Sequence, residues 1–273
     1  MKMKTIRRGD KGSEVKTCQQ RLTIHGIQCG ADGIFGPGTE SDVIEFQKKN
    51  GLDADGIVGP ASWAALMAAP SEPKVLTGAG LPPVIRRAQE LGLQAWDEPY
   101  RMWLFGIRSE NRDANSFDDE MGCAWVNEDG LWSVEYWPAT TDPGTYYLEN
   151  PMNSKGCAIL VEGQYLDTWM LGMHRSKYEA LCQLGNEVRV YRDASRDNKL
   201  DMDPSTIIQG YFGINLHAAT QIEGGESTKV HKWSAGCQVH ATQKGFARMM
   251  ELAHLQVEKT GRDKFSYTLL ESW

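Results

Sequence analysis

The chain has 273 residues, 41% hydrophobic and 24% charged, which is long for one domain, comfortable for two and apolar enough for real cores. Its 36 acidic and 29 basic side chains leave a formal charge of -7, opposite in sign to the basic footprint of a nucleic-acid binder. No apolar run approaches the roughly 20 residues of a membrane span, so neither nucleic acid nor a membrane span is expected as a partner.

The stretch from Met1 to Asp10 is too polar for a secretory signal, lacking both an apolar core and a small-residue cleavage site. Synthesis in the cytoplasm is therefore expected. Cysteines stand at 18, 29, 123, 157, 182 and 237 with no CxxC pair, and read as free thiols, most of them small buried hydrophobes. No metal or other cofactor is expected, and the chain reads as a monomer.

Residues 5–68 contain an internal echo: Asp32-Gly33-Ile34-Phe35-Gly36-Pro37 returns 23 residues later as Asp55-Gly56-Ile57-Val58-Gly59-Pro60. Each copy reads as a tight turn with its apolar pair tucked inward, followed by a helix. Thr39 with Asp42 has the form of a capping box, and Pro60 suits a first helical position. Apolar spacing predicts three short helices, through Val15, Cys18 and Leu22, through Val43 or Ile44 with Phe46, and through Trp63 and Leu66. Residues 1–69 are expected to form this module, 70–80 a Pro-containing linker and 81–273 a second domain, opening on a short helix with Val84, Ile85, Ala88 and Leu91 on one face.

Leu22, the two doubled turns, Phe46-Gln47, Asn50-Gly51-Leu52 and Trp63, with Gly9-x-x-Gly12-x-x-Val15, resemble the peptidoglycan-binding module of wall enzymes. The resemblance implies bacterial peptidoglycan as partner, held in a shallow groove near the turns. Asp32, Gly33, Phe35, Asp55 and Gly56 are then the candidate contacts. A generic three-helix spacer is the bland alternative.

From about residue 100, short β-branched and aromatic runs alternate with Gly, Pro, Asn and Asp; the predicted strands are 101–107, 131–137, 157–161, 187–192 and 207–216. One clear helix comes late, with Phe246, Met249, Met250, Ala253 and Val257 on one face and Thr242 as its cap. The fold class expected is α+β: a small three-helix bundle followed by a β-rich domain with a C-terminal helix.

Two stretches of this second domain carry a further resemblance: Trp137-Pro138-Ala139-Thr140-Thr141-Asp142-Pro143-Gly144-Thr145-Tyr146, and Gly213-Ile214-Asn215-Leu216-His217 with Ser234-Ala235-Gly236-Cys237-Gln238. In order and spacing they are similar to the L,D-transpeptidase (YkuD-like) catalytic domain, over about residues 130–255. The likeness implies Cys237 as nucleophile, His217 as base and Ser234 as a turn-fixing hydroxyl. Two positions depart from the family pattern, since Ala235 stands where a His is common and Gln238 where an Arg or Asn is common.

The chemistry of these residue types points the same way. A thiol becomes a useful nucleophile when an imidazole takes its proton, and Gly236 lets backbone approach a substrate carbonyl, with the amides of Gly236 and Cys237 as candidate oxyanion donors. His231, Cys237 and His240 form a weaker alternative as zinc ligands, without the usual carboxylate. His174 and Arg175 open a helix-like stretch with Tyr178, Leu181 and Cys182, where a solvated or core-capping role is expected. Asp193, Asp197, Asn198, Asp201 and Asp203 lack EF-hand spacing and read as a plain turn. The function expected is hydrolysis of peptidoglycan stem-peptide bonds through a Cys237 acyl-enzyme, as in a phage endolysin. L,D-transpeptidation and a non-catalytic wall binder are the alternatives.

Overall fold

The computed structural model describes residues 3–25, 27, 29–67 and 80–273. The expected linker lies, apart from Gly80, outside the described residues. The chain divides into two compact units, Met1–Glu72 and Pro73–Trp273.

The first unit holds α1 (Ser13–Ile24), α2 (Pro37–Lys49) and α3 (Pro60–Met67). Proline opens α2 and α3, where a missing N–H costs no intrahelical hydrogen bond. Val15, Cys18 and Leu22 of α1, Val43 and Phe46 of α2, and Trp63 and Leu66 of α3 meet in one core with Ile6, Phe35 and Val58. Burying each of the larger side chains contributes about 1.5–3 kcal/mol, which this small unit needs in order to stand alone. The segment before α1 ties the two turns together: Ile6 bridges Val58 and Lys11 bridges Ile34. Thr39 does not cap α2. The cap position is Gly36, with no side-chain hydrogen bond, and the Thr39 hydroxyl accepts instead from the Gln19 amide at 3.1 Å.

The second unit begins with α4 (Pro83–Glu90), whose Val84, Ile85 and Ala88 are buried while Leu91, one residue past its end, is exposed. Strands β1 (Trp103–Arg108), β2 (Asp119–Val126) and β3 (Trp132–Thr140) come next, followed by α5 (Thr145–Glu149). Then come β4 (Cys157–Leu160), β5 (Gly163–His174), β6 (Tyr178–Gln183), β7 (Val188–Asp193) and β8 (Ile208–Gly210). The chain closes with β9 (Leu216–Ala218), β10 (Gln238–His240), α6 (Gln243–Thr260) and β11 (Lys264–Glu271).

Eight strands form a closed barrel in the order β1-β11-β5-β6-β9-β10-β3-β2, and β4, β7 and β8 form a separate three-stranded sheet. Closure leaves the barrel without a free edge. Residues 81–130, which lie before the stretches that carry the second resemblance, supply β1 and β2 together with the covering helix α4, which packs on Trp103, Phe105 and Leu270. The apolar face of α6 joins the main core through Phe246, Met249 and Ala253. Thr242 caps it as expected, accepting from the Gly245 amide at 3.1 Å.

Three readings of the second unit are corrected. The helix-like stretch at His174–Cys182 is a β-hairpin, β5 to β6, turning at Arg175 and Ser176 with φ of 50° and 55°. The single strand expected over 207–216 is split into β8 and β9, with Gly213 between them at φ 68°. Strands β2, β5, β10 and β11 have no counterpart among the predicted runs. The acidic loop is a turn: Asp193 accepts from the Ser195 and Asp201 amides, and Asp197 from that of Lys199.

Candidate active site

The two sequence stretches of the second unit become neighbouring strands. Thr140 of β3 pairs with Val239 of β10, and His217 of β9 pairs with Val239 on its other side. Because β9 and β10 run parallel, with the Gln238 backbone amide donating to the Asn215 carbonyl at 3.0 Å, residue 237 falls opposite 215. Alternation along a strand then sets Asn215, His217 and Cys237 on one face. His217 and Cys237 are diagonal neighbours across that pair.

Cys237 is half-buried. Its thiol donates to the Gly213 carbonyl at 3.4 Å and accepts from the Asn215 amide at 3.5 Å. Burial pushes the thiol up to about 11, against the pull of the Asn215 amide and the Arg175 charge. His217 is buried, and its Nδ1 lies 3.0 Å from the Ala218 carbonyl and 3.4 Å from the Tyr178 hydroxyl. A carbonyl partner fixes the proton on Nδ1, leaving the Nε2 lone pair without a partner among the described residues. Burial, then the neighbouring His174, push the ring down to about 3. Thiol and imidazole are therefore both neutral at rest.

His174, expected to be solvated or to cap the core, is buried beside His217. Its ring stacks on that of His217 with centroids 4.1 Å apart and planes 23° apart, and its Nδ1 accepts from the Asn215 side-chain amide at 3.1 Å. Asn215, Tyr178 and His174 thus hold the imidazole in place. The signal available for Asn215 was its place two residues before His217 on one strand face. None was available for His174, which reaches the site only through the β5–β6 hairpin.

Ser234 is buried; its hydroxyl donates to the Cys237 carbonyl at 2.8 Å and accepts from the Gly236 amide at 3.1 Å. That engagement removes the Gly236 N–H from the expected oxyanion pair, leaving the Cys237 N–H. Gly236 also has a packing role. At φ 119°, a Cβ on it would lie 2.4 Å from the Ala158 carbonyl of β4, so the glycine is required by internal packing.

Gln238 is buried, donating to the Thr141 carbonyl at 3.2 Å and accepting from the Tyr267 hydroxyl at 3.0 Å. Thr141 is in turn held by Arg108, fully buried, whose Nε donates to the Thr141 hydroxyl at 3.0 Å and pairs with Asp142 at 3.0 Å and whose NH1 pairs with Glu162. Burial pushes the Asp142 carboxyl up to about 7. His231 is exposed, whereas the Nε2 of His240 lies 3.3 Å from the Met249 sulfur in the core. The structure does not gather them with Cys237, and no group of three metal-ligating side chains occurs among the described residues.

In the first unit the doubled turns are organised by two buried glutamines. Gln19 donates to Asp32 at 2.8 Å and accepts from the Gly33 amide at 2.8 Å; Gln47 does the same with Asp55 at 2.8 Å and Gly56 at 2.9 Å. Asp32 and Asp55 also accept from the amides of Ile34 and Ile57, contacts that hold both carboxyls below the usual carboxylate range. Phe35 is core. The five residues expected to meet the wall are therefore engaged in building the turns. Only one member of each apolar pair points inward: Phe35 and Val58 are buried, whereas Ile34 is 46% exposed and Ile57 half-buried.

Residues 11–66 match a family model described as "Putative peptidoglycan binding domain". The N-terminal unit belongs to that domain family. A "Probable N-acetylmuramoyl-L-alanine amidase" of Bacillus licheniformis is 45% identical over 67 residues, which is 23% of this chain and 19% of that protein. The chain spans between 18% and 24% of the length of three such curated relatives. A Burkholderia AP3 phage endolysin structure is 40% identical over 32% of this chain and 33% of that one, with a TM-score of 0.24. An L,D-transpeptidase structure from Xylanimonas cellulosilytica is 20% identical over 97% of each chain, with a TM-score of 0.26. At such scores neither overlay describes the second unit, whose chemistry rests on its own residues. Beside the peptidoglycan-binding domain, no helix among the described residues is long and apolar enough to cross a membrane.

Proposed function

We propose that the second unit is a cysteine peptidase of peptidoglycan stem peptides, brought to the wall by the peptidoglycan-binding domain, in an endolysin-like arrangement. One observation carries the reading: parallel pairing of β9 and β10 sets a half-buried thiol and a buried imidazole with a free Nε2 on one face. The domain partnership supports it, because a wall-binding module places its neighbour on a wall polymer. Exposed Ile34 and half-buried Ile57 are the turn residues positioned to meet that polymer.

In this mechanism Cys237 Sγ attacks the carbonyl carbon of the scissile amide while its proton passes to His217 Nε2. Burial disfavours a standing thiolate–imidazolium pair, with the thiol near 11 and the ring near 3, so proton transfer accompanies attack. The Cys237 amide donates to the oxyanion. Collapse expels the amine, which takes the proton from His217 and leaves a thioester. Water then attacks the thioester, His217 takes its proton, and the thiol regains that proton as the acid departs.

The test is incubation of the full chain with purified muropeptides, with and without a thiol alkylator, followed by mass analysis. Alkylator-sensitive release of a stem fragment is expected. Joined stems would replace hydrolysis by transpeptidation, and no product at all would leave a wall binder.

A further inference from the structure

We propose that the cavity beside Cys237 receives a carboxylate of the substrate, with Arg192 supplying the charge and Ala235 the room. The assignment rests on the reading of the second unit as a peptidase of wall peptides. The cavity, about 300 Å³, is lined by Tyr147, Cys157, Ala158, Arg192, Phe212 and Ala235 among others, a size suited to a side chain or chain end. Two of its lining residues adjoin the segments that hold the thiol. Phe212 precedes Gly213, whose carbonyl accepts from Cys237, and Ala235 lies two residues before Cys237. A group seated there is attached to a residue adjoining the scissile bond.

Arg192 is half-buried with its guanidinium 4.8 Å over the Phe212 ring and NH1 donating to the Gly156 carbonyl at 3.1 Å. No carboxylate forms an ion pair with it among the described residues, and its buried Nε has no hydrogen-bond partner. The adjacent carboxylate, Asp193, is turned into its own loop by the amides of Ser195 and Asp201. In a chain of net charge -7, a partly desolvated guanidinium without a counter-charge, facing a cavity, is a site for an incoming anion. Ala235 takes part by size, since a methyl is all that this position adds to the cavity wall.

Wall-type peptides present carboxylates from two sources, a chain terminus and the side chain of a diacid residue. Three synthetic stem peptides separate them: one with both carboxylates free, one amidated at the terminus and one amidated at the side chain. Binding to the full-length Cys237→Ala protein is measured by calorimetry, and kcat/KM with the wild type. One of the two amidations is expected to weaken binding about 10–100-fold, as for a lost charged hydrogen bond, and which one does so identifies the source. Adding Arg192→Gln should bring the three peptides within about twofold of one another, while Arg192→Lys should retain part of the preference. Equal binding of all three peptides by the Arg192 protein, or a preference that survives Arg192→Gln, overturns the site. If Arg192→Gln does not fold, Ala235→His narrows the same cavity and must remove the same preference. Should the wild type cleave nothing while Cys237→Ala still discriminates, the peptidase reading falls and the carboxylate site stands. Cleavage of all three peptides at one rate, with equal binding, has the opposite meaning.

Discussion

Both units are organised by glycine turns, and the two sets of turns differ in what they leave unused. In the peptidoglycan-binding domain the turn carboxylates, the Gly33 and Gly56 amides and the bridging glutamines satisfy one another. In the second unit Ser234, Gly236 and Gln238 satisfy one another too, but the turn delivers one half-buried thiol beside an imidazole with a free nitrogen. A recurring motif residue is therefore no guide to contact with a ligand. The guide is a polar atom that the fold positions and does not engage.

The sharpest way to break this comparison is Cys237→Ala. Peptide turnover should fall by about 10⁴-fold or more, as for loss of a nucleophile, while retention on insoluble peptidoglycan persists. Retained turnover would end the cysteine mechanism. Next comes His217→Gln, for which kcat should fall about 10²–10⁴-fold. The resting thiol should behave differently. With its proton held to about 11, alkylation of Cys237 should climb steadily from pH 7 to 10 without an inflection near the ordinary imidazole range, in wild type and variant alike. An inflection lost on His217→Gln would mean that a thiolate–imidazolium pair stands at rest.

In the first unit, Gln47→Ala strands the Gly56 amide and loosens Asp55, and should destabilise the domain by about 2–4 kcal/mol in chemical denaturation. An unaffected midpoint would show that the turn holds without its clamp. The smallest effect is expected from His240→Leu. Burial holds that ring neutral down to about 3, against 6.5 for an ordinary histidine. The unfolded chain binds a proton in that window that the folded chain does not, so acidification through it costs stability. His217 acts in the same sense, whereas Asp142, pushed up to about 7, binds its proton earlier when folded and offsets part of the loss. Replacing His240 should flatten the fall of the melting temperature below pH 6.5, and an unchanged slope would contradict the neutral buried ring.

What could be read in the sequence follows from where periodicity survives burial. Helix α6 shows one apolar face and one wet face, so Phe246, Met249 and Ala253 marked it and Thr242 its start. Strands β6 and β11 are buried on both sides over most of their length, which erases alternation. Tyr178, Leu181 and Cys182 then mimic helical spacing. His174 was misplaced by the same error, and with it the ring that stacks on His217. The nearness of Cys237 and His217 was legible because both lie in short motifs at the meeting of two strands. The clamps of the first unit were not, because Gln19 and Gln47 sit on helices 13 and 8 residues before the carboxylates that they bind, and helical spacing gives a buried glutamine no partner.

The packing of Gly236 against Ala158 also sets the mutational tolerance of the site. In a library randomised at residue 236, every L-side chain collides with the carbonyl of a strand in the other sheet, and a strand cannot yield as a flexible side chain can. Selection for folded, active clones should return glycine alone. At the neighbouring Ala235, which faces open cavity, many residues should be accepted, each with a different preference among substrates. Diversification of this site is thus channelled to one side of Cys237.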